Sequence, residues 1–118
     1  MAVPADECLF CRIAKRELSS KMVFEDNKIM AFEDTNPQAP IHIIVIPKYH
    51  ISKLSDAKAQ DRRLLGDLIL RTKDIAREKS IEESGYRIVI NSNRAAGQTI
   101  FHLHLHLLGG RAMGWPPG

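Results

Sequence analysis

His102-Leu103-His104-Leu105-His106-Leu107-Leu108 alternates without interruption between imidazole and aliphatic side chains until its final pair of leucines. A period of two is the pattern of a β-strand, whose successive side chains point to opposite faces. The stretch therefore reads as the heart of a strand from Ile100 to Leu108, with three imidazoles on one face and leucines on the other. Gly109-Gly110 ends it, and Trp115-Pro116-Pro117-Gly118 reads as an extended tail with no core of its own. A solvated strand face is usually a mixture of Thr, Lys, Glu and Ser. Three histidines in register mark this one for chemistry.

Reading outward, Tyr86 to Ile90 has the composition of another strand, and the polar segment Asn91–Gln98 joins the two as a loop. From Ser55 or Asp56 to about Lys79 the period becomes helical. Leu64, Leu65, Leu68, Ile69, Thr72, Ile75 and Ala76 form an apolar stripe, with Asp, Arg and Lys on the opposite face. His42-Ile43-Ile44-Val45-Ile46 is rich in β-branched residues and reads as a strand buried on both faces, stopping at Pro47. Met22-Val23-Phe24-Glu25 and Ile29-Met30-Ala31-Phe32 form a hairpin closed by Asp26-Asn27-Lys28. Asn36-Pro37-Gln38-Ala39-Pro40 is a loop, since proline disfavours helix in the residue before it. Asp6 can cap a short helix from about Glu7 to Glu17, in which Leu9, Phe10, Ile13 and Ala14 have helical spacing. This order predicts an α+β fold: an antiparallel meander of about five strands, one long helix on one face and a short N-terminal helix. A length of 118 residues predicts one domain, 1–118, with residues 109–118 as an extended tail.

Composition narrows the function classes. At 44% hydrophobic and 26% charged residues the chain is an ordinary globular one, which excludes disorder. No apolar run reaches the roughly 18–20 residues of a membrane span. The N-terminal Met1-Ala2-Val3-Pro4-Ala5-Asp6-Glu7 lacks the basic and apolar regions of a signal peptide, so a cytoplasmic location is expected. A net charge of +3, scattered among acids, suits a phosphate-bearing ligand but does not make a nucleic-acid groove. Cys8 and Cys11 are the only cysteines. Their Cys-x-x-Cys spacing, with no strand before it, favours metal ligation over redox chemistry, yet two ligands do not close a zinc site.

All five histidines fall in two segments, His42 with His50 and then the triad. One reading makes a His-x-His pair a metal site. At roughly 3.3 Å per residue, however, His102 and His106 are about 13 Å apart along a strand, too far to share one ion. The other makes the middle imidazole a nucleophile. Neutral imidazole attacks phosphorus near pH 7 and its adduct is labile. Its neighbours would then fix its tautomer and stabilise phosphoryl oxygens.

The triad matches the His-φ-His-φ-His-φ-φ signature, φ being apolar, of the histidine-triad (HIT) superfamily. Further matches are Phe32-Glu33-Asp34, Pro37-Gln38-Ala39-Pro40, His42, Ile46-Pro47-Lys48, His50-Ile51-Ser52, Asn91, Gly97-Gln98-Thr99, Leu108-Gly109-Gly110-Arg111 and Trp115-Pro116-Pro117-Gly118. The chain most resembles the Hint branch, whose members end in Trp-Pro-Pro-Gly. His106 separates it from the uridylyltransferase branch, which carries Gln there. The resemblance implies a purine nucleoside phosphoramidase that cleaves a P–N bond through a nucleotidyl-histidine intermediate and needs no catalytic cofactor. His104 would be the nucleophile. His106, helped by Thr99, would contact the phosphate or leaving group, with Asn91 on phosphate oxygens and Gln98 lining the same loop. His42 would lie beside ribose or phosphate, Asp34 would accept from ribose hydroxyls, and Phe10, Phe32 and Ile44 would enclose the purine. The bland alternatives are a plain apolar core for those three, and loop-backbone satisfaction for Asn91 and Gln98. Family members with Cys-x-x-Cys imply a structural zinc on Cys8, Cys11, His50 and His102. The resemblance also implies a homodimer, AMP or GMP as ligands, and neither nucleic acid nor membrane as partner. Two other functions remain open: a nucleotide-binding regulator with incidental hydrolysis, and a dinucleoside polyphosphate hydrolase or nucleotidyl transferase.

Overall fold

A computed structural model of the protein describes residues 7–118. The Asp6 expected to cap the first helix lies outside them. Asp26 starts the first turn by accepting from the backbone N–H groups of Lys28 (2.8 Å) and Ile29 (2.7 Å). That turn joins β1 (Met22–Glu25) to β2 (Ile29–Glu33), with an irregularity in the pairing between Met22 and Phe24. β2 pairs antiparallel with β3 (Ile41–Pro47), setting Phe32 opposite Ile44 and Met30 opposite Ile46.

Two turns of 3-10 helix, Leu54–Asp56 and Ala59–Asp61, precede the long helix. The helix itself, α2, therefore spans Arg62–Glu78 and starts later than its sequence pattern predicts. Leu68, Thr72, Ile75 and Ala76 of the expected stripe are buried and Leu64 and Leu65 half-buried, but Ile69 is exposed, since it falls one residue, about 100°, past Leu68 around the helix. β4 (Tyr86–Val89) and β5 (Leu105–Gly109) complete a five-stranded sheet of order β1-β2-β3-β5-β4, with every pair antiparallel. The first three strands form the expected meander. β5 then inserts between β3 and β4, because α2 carries the chain across the sheet face before β4 begins.

The alternation of side chains sorts the core into two layers. Ile29, Ala31, Ile43, Val45, Leu103, Leu105 and Leu107 face α2 and join Leu68, Ile75 and Ala76. Met30, Phe32, Ile44 and Ile46 face the other way, against Cys8, Phe10, Cys11 and Ile13. β3 is thus buried on both faces, as its unbroken apolar run predicts.

The residues of that second layer preceding β1 belong to α1, Leu9–Ala14, which is shorter than the expected 7–17. Cys8 caps it, its Sγ accepting from the Cys11 N–H at 3.3 Å. At its other end, β5 runs into Gly109, where an added Cβ would lie 2.5 Å from Ile81 Cδ1. Gly110 follows at φ +86°, so the pair of glycines lets the chain leave the sheet.

Candidate functional site

The triad lies on the α1 side of the sheet. The Phe10 ring meets the edges of His104 at 5.1 Å and His102 at 6.0 Å between centroids, and His104 meets His106 at 4.9 Å. Regular pairing begins only at Leu105, later than the expected Ile100. Before it the chain leaves β3 and Leu103 N–H donates to the Ile51 carbonyl at 2.6 Å. This departure resolves the spacing problem, because His102 serves a different cluster from its two neighbours.

Hydrogen bonds to the backbone fix the tautomers. A carbonyl only accepts, so the 2.7 Å contact from His104 Nδ1 to the His102 carbonyl puts the proton on Nδ1 and leaves the lone pair on Nε2. A backbone N–H only donates, so the 3.0 Å bond from Gln38 N to His42 Nδ1 places the proton of a neutral His42 on Nε2. That Nε2–H lies 2.9 Å from His106 Nδ1 and 3.3 Å from Asp34 Oδ2. Donation to the nearer nitrogen leaves His106 with its own proton on Nε2. The result is a lone pair on His104 beside an N–H on His106, neither bonded to another protein group among the described residues.

Burial keeps these rings neutral. Desolvation pushes His104 and His42 below the usual imidazole value, with Asp34 pulling the other way in both. His106 is pushed down to about 4 by desolvation first, then by its histidine neighbours.

The second cluster joins Cys8, Cys11, His50 and His102, whose ligand atoms lie within 4.8 Å of one another. His102 Nε2–H donates to the Pro47 carbonyl at 2.7 Å, turning Nδ1 toward Cys8 Sγ (3.3 Å), Cys11 Sγ (3.4 Å) and His50 Nδ1 (3.2 Å). His50 Nε2 contacts Ser52 Oγ at 3.2 Å, so its Nδ1 also faces inward. Two sulfurs and two oriented imidazoles are the donor set of a closed tetrahedral zinc site, with outer partners already in place. Desolvation raises the Cys11 thiol to about 12, and a coordinated cation would reverse this by holding the thiolate. Asp34, His42 and His106 also lie within 4.8 Å of one another. Both His42 nitrogens are committed there, so that group reads as a proton-bonded relay rather than a metal site.

A cleft of about 410 Å³ opens between α1 and the ends of β2 and β3, and its wall residue Phe10 is the one that packs on His104. Phe10, Phe32 and Ile44 line its apolar side and Asp34 its polar rim, so these four expected residues come together. Phe10 and Phe32 meet edge to face at 5.4 Å. Leu9, Ile13 and Ile100 complete the apolar wall without having been singled out from the sequence. Asn91 is half-buried after β4, and its side chain bonds no other protein group among the described residues. Thr99 is exposed and lies with Glu7, Cys8 and Leu9 beside a smaller hollow, without a hydrogen bond to the triad among the described residues.

Gln98 needs a correction. It is buried at 3% exposure. Its Oε1 accepts from Asn93 N–H at 2.7 Å, and its Nε2 donates to the carbonyls of Ser52 (2.8 Å) and Ile100 (3.1 Å). Its amide is spent on the backbone, so it ties the loop to the His50 segment instead of lining a ligand. Pro47, Ser52 and Gln38 lie in the matched segments, but no role was assigned to them from the sequence. Pro47 acts through its carbonyl, which every residue type carries, and Gln38 through its N–H, which every type but proline carries.

An open α+β sheet carrying three alternating histidines, with an apolar cleft walled by Phe10 next to His104, defines the class of protein. The HIT domain model matches residues 15–113, and the chain belongs to that family. It is 46% identical over 112 residues to the 14 kDa zinc-binding protein of Zea mays, covering 93% of this chain and 87% of that one. It resembles the crystal structure of a HIT family hydrolase from Legionella pneumophila at 49% identity and TM-score 0.94, over 95% of this chain and all (100%) of that one. It also resembles a zinc-bound histidine triad family protein from Mycobacterium smegmatis at 31% identity and TM-score 0.77, covering 91% and 77% of the two chains.

Proposed function

We infer that the protein is a Hint-branch purine nucleoside phosphoramidase of the Cys-x-x-Cys type. The observation that carries this reading is the free Nε2 lone pair of His104, whose Nδ1–H the His102 carbonyl holds at 2.7 Å while its ring packs on the cleft residue Phe10. The purine lies between Phe10, Phe32 and Ile44, and the ribose hydroxyls donate to Asp34. His104 Nε2 attacks the α-phosphorus, the P–N bond breaks, and the departing nitrogen takes a proton from solvent, which the hydrolysis step gives back, and leaves as an amine. The charge that His104 gains is shared through Nδ1–H with the His102 carbonyl. His106 Nε2–H and Asn91 stabilise the phosphoryl oxygens, as preorganised donors do. Thr99, which lines the neighbouring smaller hollow, would have to turn toward His106 to assist it, and His42 holds His106 in its tautomer. Water then attacks the nucleotidyl-histidine, releasing nucleoside monophosphate and restoring neutral His104.

Cys8, Cys11, His50 and His102 would hold a zinc ion whose contribution is to the fold and not to the chemistry. Ligation requires reduced thiols, which fits a cytoplasmic location, and no helix among the described residues is long and apolar enough to cross a membrane. We read residues 1–118 as one domain that dimerises, with the tail 109–118 reaching the partner's site. Its supports are the unpaired outer edge of β4 and Trp115, which is 83% exposed.

The test is release of AMP from adenosine 5′-phosphoramidate. Wild-type protein should release it, and His104→Ala should bind AMP with turnover reduced at least about 1,000-fold, as loss of a nucleophile demands. Wild-type protein that binds AMP without releasing it would leave a nucleotide-binding protein and end the hydrolase reading.

A further inference from the structure

The cysteine–histidine cluster and the cleft touch at two places. His102 belongs to both: its Nδ1 faces the two sulfurs, and its carbonyl receives the Nδ1–H of His104 at 2.7 Å. Phe10 is the other link. It lies on α1 between Cys8 and Cys11, walls the cleft, and packs its ring on Phe32, His102 and His104.

α1 has six residues, too few to persist as a helix by local hydrogen bonding alone. It stays in place through its buried Phe10, Cys11 and Ile13 and through the Cys8 cap. The four ligand side chains come from three separate stretches: α1 with its cap, the segment after β3, and the segment before β5. Among them only the Cys8 and Cys11 sulfurs fasten α1 to the other two stretches at this cluster.

We propose that Cys8, Cys11, His50 and His102 form a positioning device for the nucleotide site, so that metal and nucleotide bind with positive coupling through Phe10 and His102. This rests on reading the cleft as a nucleotide site and the cluster as a zinc site. With the four side chains joined, Phe10 is held where a purine needs it and the His102 carbonyl is held where His104 needs it. A nucleotide then meets a smaller ordering cost. Linkage makes the effect reciprocal: a nucleotide against Phe10 must strengthen metal retention by the same factor. Couplings of this kind amount to about 5- to 150-fold in affinity.

The experiment has two arms. AMP affinity is measured by calorimetry on zinc-loaded and metal-free protein. Zinc release to a chromophoric chelator is timed from the loaded protein with and without saturating AMP. The expected result is AMP affinity at least 5-fold higher with zinc bound and zinc release slowed several-fold by AMP. Phe10→Ala should retain zinc but lose the slowing, even when saturated with AMP. If the metal-free chain unfolds, the release arm and Phe10→Ala still decide, because both use loaded protein. Binding of both ligands with the two constants independent within about two-fold would overturn the coupling. Failure of AMP to bind loaded protein would instead remove the nucleotide reading. Failure to retain zinc would remove the metal reading. Either would take the proposal with it, by a distinguishable result.

Discussion

Acidification tests the neutral-ring arrangement most directly. An imidazole at its ordinary value of about 6.5 would be roughly 9% neutral at pH 5.5. His106, pushed down to about 4 by desolvation, would remain almost wholly neutral at that pH, and desolvation moves His104 and His42 in the same direction. Protonation of His106 would turn its Nδ1 from acceptor into a second donor facing the His42 Nε2–H at 2.9 Å, breaking the relay. The acid limb of kcat/KM for AMP release should therefore have its midpoint below 6.5, with more than a tenth of the plateau left at pH 5.5. Rates are taken by initial AMP release between pH 4.5 and 8, less the uncatalysed cleavage that acid promotes. The same group contributes to stability. Its folded value lies below its unfolded one, so the contribution is complete above pH 6.5 and is lost as pH falls toward 4. The full loss for His106 is on the order of 3 kcal/mol, readable as a fall in the urea midpoint. An acid limb centred at or above 6.5, with a urea midpoint flat between pH 6.5 and 4.5, would refute the reasoning.

Gln98→Ala removes three hydrogen bonds from a side chain 3% exposed and strands Asn93 N–H and the Ser52 and Ile100 carbonyls. It should cost about 2–4 kcal/mol in denaturant unfolding while changing AMP affinity little per folded molecule; unchanged stability with lost affinity would return Gln98 to the ligand. Light scattering at micromolar concentration should give twice the 13.3 kDa chain mass, and a monomer would remove the dimer reading.

The layers of the fold were legible because they follow from a strict period. Ile43 and Val45 fall on the α2 side and Ile44 and Ile46 on the α1 side, as alternation demands. Strand order was not legible. Both β4 and β5 are short and apolar, and no local property of either says which will lie beside β3. The ends of α1 and α2 moved inward for a related reason. A capping sulfur and two 3-10 turns satisfy backbone groups that a longer helix would have satisfied itself. In the site, side chains that act by their own chemistry were identifiable: the cysteines, the histidines and Asp34. Those acting through the main chain, Gln38 and Pro47, lay in matched segments, but their side chains gave no sign of the contacts their backbone makes.

That division explains how the site is built. Of the five histidines, His42, His102 and His104 each have one ring nitrogen committed to a backbone group, Gln38 N–H, the Pro47 carbonyl and the His102 carbonyl respectively. Main-chain partners cannot rotate away or change protonation near neutral pH, so each tautomer is set by the fold. A side-chain carboxylate in those places would add a full opposite charge, whereas the Pro47 and His102 carbonyls raise their rings less than burial lowers them, so both stay below the ordinary imidazole value. His104 is thus buried and oriented without becoming an imidazolium, as the proposed nucleophilic role requires. Asp34, the one carboxylate close to this group, lies nearest His42, two rings away from the attacking nitrogen.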